Sequence, residues 1–139
     1  MRLATTTLAV RTPGPGLTDI TAEIARWLSQ EPAGEGQVTL FIRHTSASLT
    51  IQENADPDVL VDLEASMRRL VPWDERLYRH RTEGPDDMPA HIRAALTNVS
   101  LTIPVLNGRL ALGTWQGIYL WEHRAEPQTR HVIVQRLTT

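Results

Sequence analysis

The sequence contains no cysteine and no lysine. The missing thiols exclude disulfides, a cysteine nucleophile and thiolate metal ligands. The missing lysines exclude a side-chain Schiff base and a phosphate-binding P-loop lysine. All 14 basic residues are arginine. Any permanently cationic side chain that binds an anion is therefore a guanidinium, which suits bidentate contact with phosphate or carboxylate.

Long apolar runs and one-sided charge are also absent. No stretch approaches the roughly 20 apolar residues that span a bilayer, and residues 1–11 lack the apolar region of a signal peptide, so we expect a cytoplasmic protein without a membrane segment. The formal net charge is −2 with both signs mixed along the chain, so a nucleic-acid partner is not expected. With 139 residues, 41% of them hydrophobic, the chain suffices for one domain over residues 1–139 with one core.

Apolar periodicity predicts a compact α+β domain with two to three helices. The first helix follows a breaker at 12–16 and a cap at Thr18. The second starts at Asp56 or Pro57, stops at Pro72, and carries Glu64 and Arg68 as an i,i+4 pair on its solvated side. A short third helix covers 89–98. Asn107-Gly108 is a hairpin signal, and neighbouring strands look hairpin-linked, so we expect a largely antiparallel sheet or sandwich. The predicted strands are 2–10, 37–44, 49–52, 99–106, 109–114, 117–123 and 131–137. Residues 72–88 are predicted as a long irregular segment, a type that is often functional.

His44 ends a strand whose core-facing row is Val38, Leu40 and Ile42. It is followed by hydroxyl side chains and free backbone N–H groups at 45–48. A histidine beside such groups can bind an anion or transfer a proton. The alternative is that the hydroxyls satisfy the backbone of a turn and His44 only fills the strand end.

Asp87 and His91 are four residues apart, so both lie on one face of the predicted third helix. An acid and a histidine at this spacing orient one another or bind a metal with a third ligand from elsewhere. His80 and Glu83, just upstream, favour that interpretation. The competing interpretation is that Asp87 is the N-cap and His91 a surface residue.

Glu122 repeats the pattern of His44, because it closes the row formed by Ile118 and Leu120. We expect the two row ends to meet at the mouth of a sheet. Tyr119 and Trp121 face the other way, which is typical of a subunit contact. Upstream of this strand, Gly113 and Gly117 flank Thr-Trp-Gln and predict an irregular or closely approached backbone.

Four runs in order and spacing resemble the YjbQ-like family, whose members are commonly labelled secondary thiamine-phosphate synthases. The similarity covers about residues 38 to 136, and the runs are 44–49, 53–57, 86–91 and 113–118. The resemblance implies a compact α+β domain that forms a homotrimer, with polar motif residues near subunit boundaries. The implied activity joins a pyrimidine pyrophosphate to a thiazole phosphate and releases pyrophosphate.

The leading hypothesis is therefore an enzyme acting on a phosphorylated small molecule. The predicted catalytic residues are His44, His91, Asp87 and Glu122. The predicted substrate and phosphate ligands are Thr45, Ser46, Ser48, Asn54, Trp115, Gln116, Arg124 and Arg130. Mg²⁺ or another divalent metal is expected, with candidate ligands His44, His80, His91, Glu83 and Asp87; no organic cofactor is expected. Two alternatives stay open, a metal-dependent hydrolase or phosphatase and a non-enzymatic trimeric module that binds a metabolite.

Overall fold

The computed structural model describes all 139 residues. Eight strands form two antiparallel sheets, and three α-helices pack against them. The strands are β1 (Arg2–Thr12), β2 (Gly16–Asp19), β3 (Gly36–Ile42), β4 (Ala47–Glu53), β5 (Ser100–Leu106), β6 (Arg109–Leu110), β7 (Gln116–Glu122) and β8 (Gln128–Thr138). The helices are α1 (Thr21–Ser29), α2 (Pro57–Leu70) and α3 (Asp87–Leu96), with a 3₁₀ turn at Glu75–Leu77. None of the helices is long and apolar enough to cross a membrane.

The larger sheet has the strand order β1-β8-β3-β5-β6 and the smaller one β2-β7-β4. One core of 14 buried residues draws on α1, β3, β4, β5, β7 and β8. The inner row of β8 is Arg130, Val132, Val134 and Arg136, and it alternates with more exposed positions. This architecture confirms the predicted single α+β domain with antiparallel sheets and three helices.

Strand β7 is buried on both faces, whereas Tyr119 and Trp121 were predicted to face a subunit contact. Tyr119 and Trp121 are 3% and 5% exposed. Trp121 packs against Met67 of α2, and its Nε1 donates to Glu64 Oε1 at 3.0 Å. The subunit contact expected for Tyr119 and Trp121 is therefore wrong, because their own chain covers them.

Glu64 of α2 is also buried by the packing of this helix on β7. Its ion pair with Arg68 is present at 3.0 Å, as the i,i+4 spacing predicts. Glu64 is nevertheless buried at 8% exposure, although a solvated position was expected. The Trp121 indole turns it inward, since a buried N–H needs an acceptor.

The start of α1 differs from the prediction. Residues 16–19, where the breaker was expected to end and Thr18 to cap the helix, form β2 and pair with β7. Thr18 does not cap the helix; Asp19 Oδ1 instead accepts from the Thr21 backbone N–H at 2.8 Å. The second helix agrees with its prediction, because the Asp56 carboxylate accepts from the Asp58 N–H at 2.9 Å and Pro57 is the first helical residue.

Two further elements differ from their predicted bounds: β6 is shorter, and α3 begins earlier. Only Arg109–Leu110 of the expected strand 109–114 pairs in the sheet. Helix α3 begins at Asp87, and Asp86 occupies the N-cap position without a side-chain capping bond. Asp87 is therefore not the N-cap, and its carboxylate is free to contact other side chains.

Candidate functional site

Strand pairing brings the ends of β4, β7 and β8 together. Ala47 pairs with Glu122 across β4 and β7, and the His123 backbone N–H donates to the Ser46 carbonyl at 3.3 Å. Arg130 reaches the same point from the inner row of β8. The predicted meeting of two inward rows therefore occurs, with Arg130 joining the Glu122 row to the residues after His44.

Glu122 is fully buried, and its carboxylate accepts five hydrogen bonds. Its carboxylate receives Nε of Arg130 at 2.7 Å, Nη2 of Arg130, the Thr12 hydroxyl at 2.8 Å, and the backbone N–H groups of His123 and Arg124 at 3.1 Å. Burial raises the pKa of Glu122, but the bonds from Arg130 and Thr12 outweigh it and leave the pKa below its ordinary value. Glu122 is an ionised carboxylate that holds Arg130 in place.

Arg130 links this buried pair to an open cleft. Its Nη2 donates to the Ser46 hydroxyl at 3.0 Å, and its Nη1 lies 3.4 Å from Nδ1 of His44. Arg130, His44, Thr45 and Ser46 line a cleft of about 580 Å³ that Arg43 also borders. This volume is typical of a small-molecule site, and its polar wall combines a guanidinium, an imidazole and hydroxyls.

His44 is held neutral in this cleft. Its Nε2 accepts from the His131 backbone N–H at 2.9 Å, while Nδ1 faces the Arg130 guanidinium. Burial and then the charges of Arg130 and His131 place the pKa of His44 below its ordinary value, although Glu122 acts in the opposite direction. Because Nε2 accepts this bond, Nδ1 carries the hydrogen of the neutral ring, and His44 can take up a proton only when Nε2 exchanges its partner.

A second cluster adjoins the cleft and consists of His80, Asp87 and His91. Nε2 of His80 lies 2.7 Å and Nε2 of His91 3.1 Å from Asp87 Oδ2. One ligand atom from each residue lies within 4.8 Å of the other two. Asp87 is 2% exposed while the two histidines keep 41% and 33% of their side-chain surface, so the cluster opens to solvent on the histidine side.

The Thr45 carbonyl connects this cluster to the cleft and determines which ring nitrogen of His91 carries the hydrogen. Nδ1 of His91 lies 3.0 Å from that carbonyl oxygen, which can only accept, so Nδ1 carries the hydrogen. In a neutral ring, Nε2 then presents a lone pair to the Asp87 carboxylate. A second proton or a cation between the two atoms removes this repulsion, and a backbone carbonyl behind the ring is the usual arrangement for a histidine metal ligand.

Arg124 anchors the acidic side of the cluster. Its Nη1 lies 2.9 Å from Asp87 Oδ1, its Nε donates to Asp86 at 2.8 Å, and its Nη2 donates to the Glu83 backbone carbonyl at 3.0 Å. Burial raises the pKa of Asp87, but His80, His91 and Arg124 outweigh it and lower that pKa overall. Arg124 thus fixes the segment 83–87, while Glu83 contributes its carbonyl and leaves its side chain exposed.

Ser48 lies beneath the cleft and contacts a residue that the sequence analysis did not select. Its hydroxyl is 2.9 Å from Nε2 of His123 and accepts from Thr97 at 2.6 Å. Burial and the charge of Arg93 lower the pKa of His123 to about 3. The sequence signal was that His123 continues the row of Tyr119 and Trp121, which is informative only once α2 is known to cover that row.

Three predicted ligands lie at the opposite end of the smaller sheet. Glu53 pairs with Gln116 six positions from the Ala47–Glu122 pair, which corresponds to roughly 20 Å along the strands. There the Asn54 amide donates to the Thr114 and Gln116 carbonyls at 3.3 Å, and the Gln116 side chain accepts from the Gly113 N–H at 2.8 Å. Trp115 is 64% exposed on this loop. Within one chain these residues do not join the cleft.

Comparison with known proteins identifies relatives along nearly the whole chain. A family model described as UPF0047 protein YjbQ-like matches residues 6–139. The UPF0047 protein sll1880 of Synechocystis sp. strain PCC 6803 is 57% identical over 127 residues, which cover 91% of this chain and 86% of the relative. The UPF0047 protein YjbQ of Escherichia coli O157:H7 is 45% identical over 128 residues, covering 91% and 92%.

Solved structures have the same fold. The conserved hypothetical protein TT1486 of Thermus thermophilus is similar with a TM-score of 0.84 at 39% identity, over 95% of this chain and 99% of the other. An uncharacterised conserved protein of Clostridium acetobutylicum is similar with a TM-score of 0.82 at 35% identity, over 96% and 99%.

Proposed function

The chain belongs to the UPF0047 family of YjbQ-like proteins, and from this premise we propose that it is a metal-dependent hydrolase acting on a phosphorylated small molecule. The observation that carries the proposal is the convergence of His80, Asp87 and His91 on one point, next to the cleft that His44 and Arg130 line.

The donor set fits a transition metal better than Mg²⁺. Two imidazoles and one carboxylate are typical ligands of Zn²⁺ and similar ions, whereas Mg²⁺ prefers oxygen atoms and water. Three protein ligands on a partly exposed cluster leave a coordination position for water or substrate, as in catalytic zinc sites. His80, Asp87 and His91 would therefore hold the ion, with the Thr45 carbonyl orienting His91.

The residues of the cleft supply the remaining chemistry. A bound metal ion lowers the pKa of a coordinated water and polarises a phosphoryl oxygen. Arg43 and Arg130 attract the phosphate, and the Ser46 hydroxyl lies beside the Arg130 guanidinium. In the hydrolysis, water adds to phosphorus, the bond from phosphorus to the alcohol oxygen breaks, and that oxygen takes up a proton. To carry the proton of water to the leaving oxygen, His44 would exchange the bond from the His131 N–H for one from water and use Nε2 as the acceptor.

The first test is elemental analysis of protein purified without added metal. We expect about one transition-metal ion per chain, bound by the wild type and lost from His80→Ala and His91→Ala. His131→Gln is the matched control, because His131 is exposed and lies outside the cluster. Metal that is absent from the wild type, or retained in both variants, would contradict the assignment of this cluster.

The second test is phosphate release from a panel of phosphorylated metabolites. We expect turnover that a chelator removes and Zn²⁺ restores, and that His44→Ala abolishes while the variant keeps the wild-type circular dichroism spectrum. A metabolite recovered unchanged from a tight complex would instead support the non-enzymatic binding module. Full activity in His44→Ala would remove this histidine from the mechanism.

A second candidate is the condensation of a pyrimidine pyrophosphate with a thiazole phosphate. The observation that favours it is the size of the cleft, about 580 Å³, which leaves room for two substrates side by side. Arg43 and Arg130 would stabilise the departing pyrophosphate. Incubation with both substrates and Mg²⁺ tests the candidate, since pyrophosphate release that requires the thiazole phosphate favours it over hydrolysis.

We also propose that the chain forms a homotrimer. The outer face of the larger sheet presents Leu3 and Phe41, which are 60% and 46% exposed. Phe41 also borders the cleft, so a neighbouring subunit on this face would close it. Light scattering should give three times the chain mass for the wild type and a smaller mass for Phe41→Arg; a monomeric wild type contradicts the proposal.

A further inference from the structure

The inner row of β8 begins and ends with a buried arginine. Arg130 is 5% exposed and Arg136 is 2% exposed. They are six positions apart, which corresponds to roughly 20 Å along the strand. Arg136 therefore lies at the opposite end of the domain from the cleft and the histidine cluster.

Arg136 has no partner for its charge. Its Nε and Nη2 atoms are buried and make no hydrogen bond, and none of the ion pairs of the chain includes it. A buried cation without a counter-ion is strongly unfavourable, so such groups normally pair with an acid or bind a ligand. These two buried donors are suited to an anionic ligand.

A small cavity lies beside this guanidinium. Its volume is about 90 Å³, and Arg2, Glu31, Thr138 and Thr139 line it together with Arg136. Glu31 is already paired with Arg2 at 2.8 Å, so the polar lining contains two guanidiniums and one carboxylate. The side chains that line the cavity therefore carry two positive charges and one negative charge, and the guanidiniums are donors suited to an oxyanion.

The walls of the cavity are held in place by close backbone contacts. A Cβ atom on Gly36 would collide with the Leu137 carbonyl oxygen, so only glycine permits this approach of β3 to β8. The Thr139 N–H donates to the Glu35 carbonyl at 3.2 Å, and the Gly108 N–H donates to the Gly34 carbonyl at 3.0 Å. The segment 34–36, which follows the lining residues Pro32 and Ala33, is thus fixed against the end of β8.

We propose that Arg136 and Arg2 form a binding site for one phosphate-sized oxyanion, separate from the site proposed for catalysis. At about 90 Å³, the cavity has room for a tetrahedral oxyanion. Arg136 provides the buried donors, and Arg2, at 59% side-chain exposure, closes the site from the surface.

Inorganic phosphate is the probe, and the melting temperature is the measurement. At matched ionic strength, phosphate at ten times its Kd should raise the melting temperature by about 4 °C relative to chloride. Arg136→Met should remove most of this shift, leaving only what phosphate in the cleft of Arg43 and Arg130 contributes, and Arg2→Gln should reduce it less. Arg11→Gln is the matched control, because Arg11 is an exposed arginine of β1 outside the cavity. Because methionine fills similar space without a charge, the Arg136 variant is expected to fold.

Several outcomes overturn the proposal. Equal melting temperatures in phosphate and chloride would exclude a phosphate site, as would an undiminished shift in Arg136→Met. A shift with acetate but not with phosphate would assign the cavity to a carboxylate instead. If His91→Ala removes the rise in melting temperature, phosphate binds in the site proposed for catalysis. If the rise persists in that variant, phosphate binds at a separate site. Failure of the proposed hydrolase would leave these outcomes unchanged.

Discussion

Arg130 and Arg136 occupy equivalent positions on the inner row of β8, yet the chain surrounds them differently. Arg130 donates to Glu122, which is fully buried, and to Ser46. Arg136 lies beside a cavity, and its buried Nε and Nη2 donors have no partner. A buried charge that the chain itself neutralises serves to position other groups. One that the chain leaves unpaired is prepared for a ligand.

The largest effect should come from removing the neutralised arginine. Arg130→Met leaves Glu122 as an uncompensated buried carboxylate, so we expect a loss of about 3–5 kcal/mol in the free energy of unfolding. Urea denaturation of the wild type and the variant measures it. The double variant Arg130→Met with Glu122→Met should recover much of the loss, and an equally unstable double variant would show that packing rather than charge dominates this end.

Acid should weaken the same end of the domain through His123. Its folded pKa of about 3 lies below the unfolded value of about 6.5, so below pH 6.5 the unfolded chain binds a proton that the folded chain refuses. Stability is therefore complete above pH 6.5 and falls as the pH drops towards 3. His123 alone should cost about 2 kcal/mol between pH 8 and pH 5.

The pH dependence is measured by urea denaturation at both pH values, with His123→Gln as the comparison. This variant should lose less stability on acidification than the wild type. His44, whose pKa is also lowered, contributes in the same direction, as do the carboxylates of Asp86, Asp87 and Glu122 at lower pH. Identical slopes in the wild type and His123→Gln would contradict the role assigned to His123.

A smaller effect is expected from one hydrogen-bond donor of the Glu122 cluster. Thr12→Val keeps the shape of the side chain but removes the hydroxyl that donates to Glu122 at 2.8 Å. Loss of one bond to a buried charged group should cost about 1.5–3 kcal/mol at most, and less here because four other donors remain on Glu122. Thr82→Val, at an exposed threonine in the segment before α3, is the control and should leave the unfolding midpoint unchanged.

The smallest effect, and the sharpest contrast with Arg130, is expected at the other end of β8. In chloride, Arg136→Met should change the free energy of unfolding by less than about 1 kcal/mol, because no ion pair is broken and a buried charge is removed. The same urea denaturation experiment decides it. A loss as large as that of Arg130→Met would mean that the chain already neutralises Arg136.

Several features of the site could be predicted because they depend on neighbours within one element. Alternation along β3 and β7 placed His44 and Glu122 at the ends of inward rows, since successive side chains of a strand point to opposite faces. The spacing of Asp87 and His91 placed both on one face of α3. His80 belonged to the same group only because it lies close upstream, and its 2.7 Å contact with Asp87 required the fold.

The errors arose where distant elements meet. Trp121 and Glu64 looked exposed in their own strand and helix, and the packing of α2 on β7 buried both. Residues 16–19 were expected to hold the end of a breaker and a helix cap, but they pair with β7 as strand β2. No local pattern encodes these contacts, because the free energy of burial depends on which surfaces meet.

Composition and short-range periodicity were enough to determine the class of the domain, the faces of its strands and the restriction of its permanent cations to arginine. Which charges are paired was decided by the folded chain. The fold gave Arg130 a buried carboxylate, gave Asp87 two histidines and an arginine, and left Arg136 beside a cavity. Charge pairing acts over a few ångströms between residues far apart in the chain, so it is settled by packing.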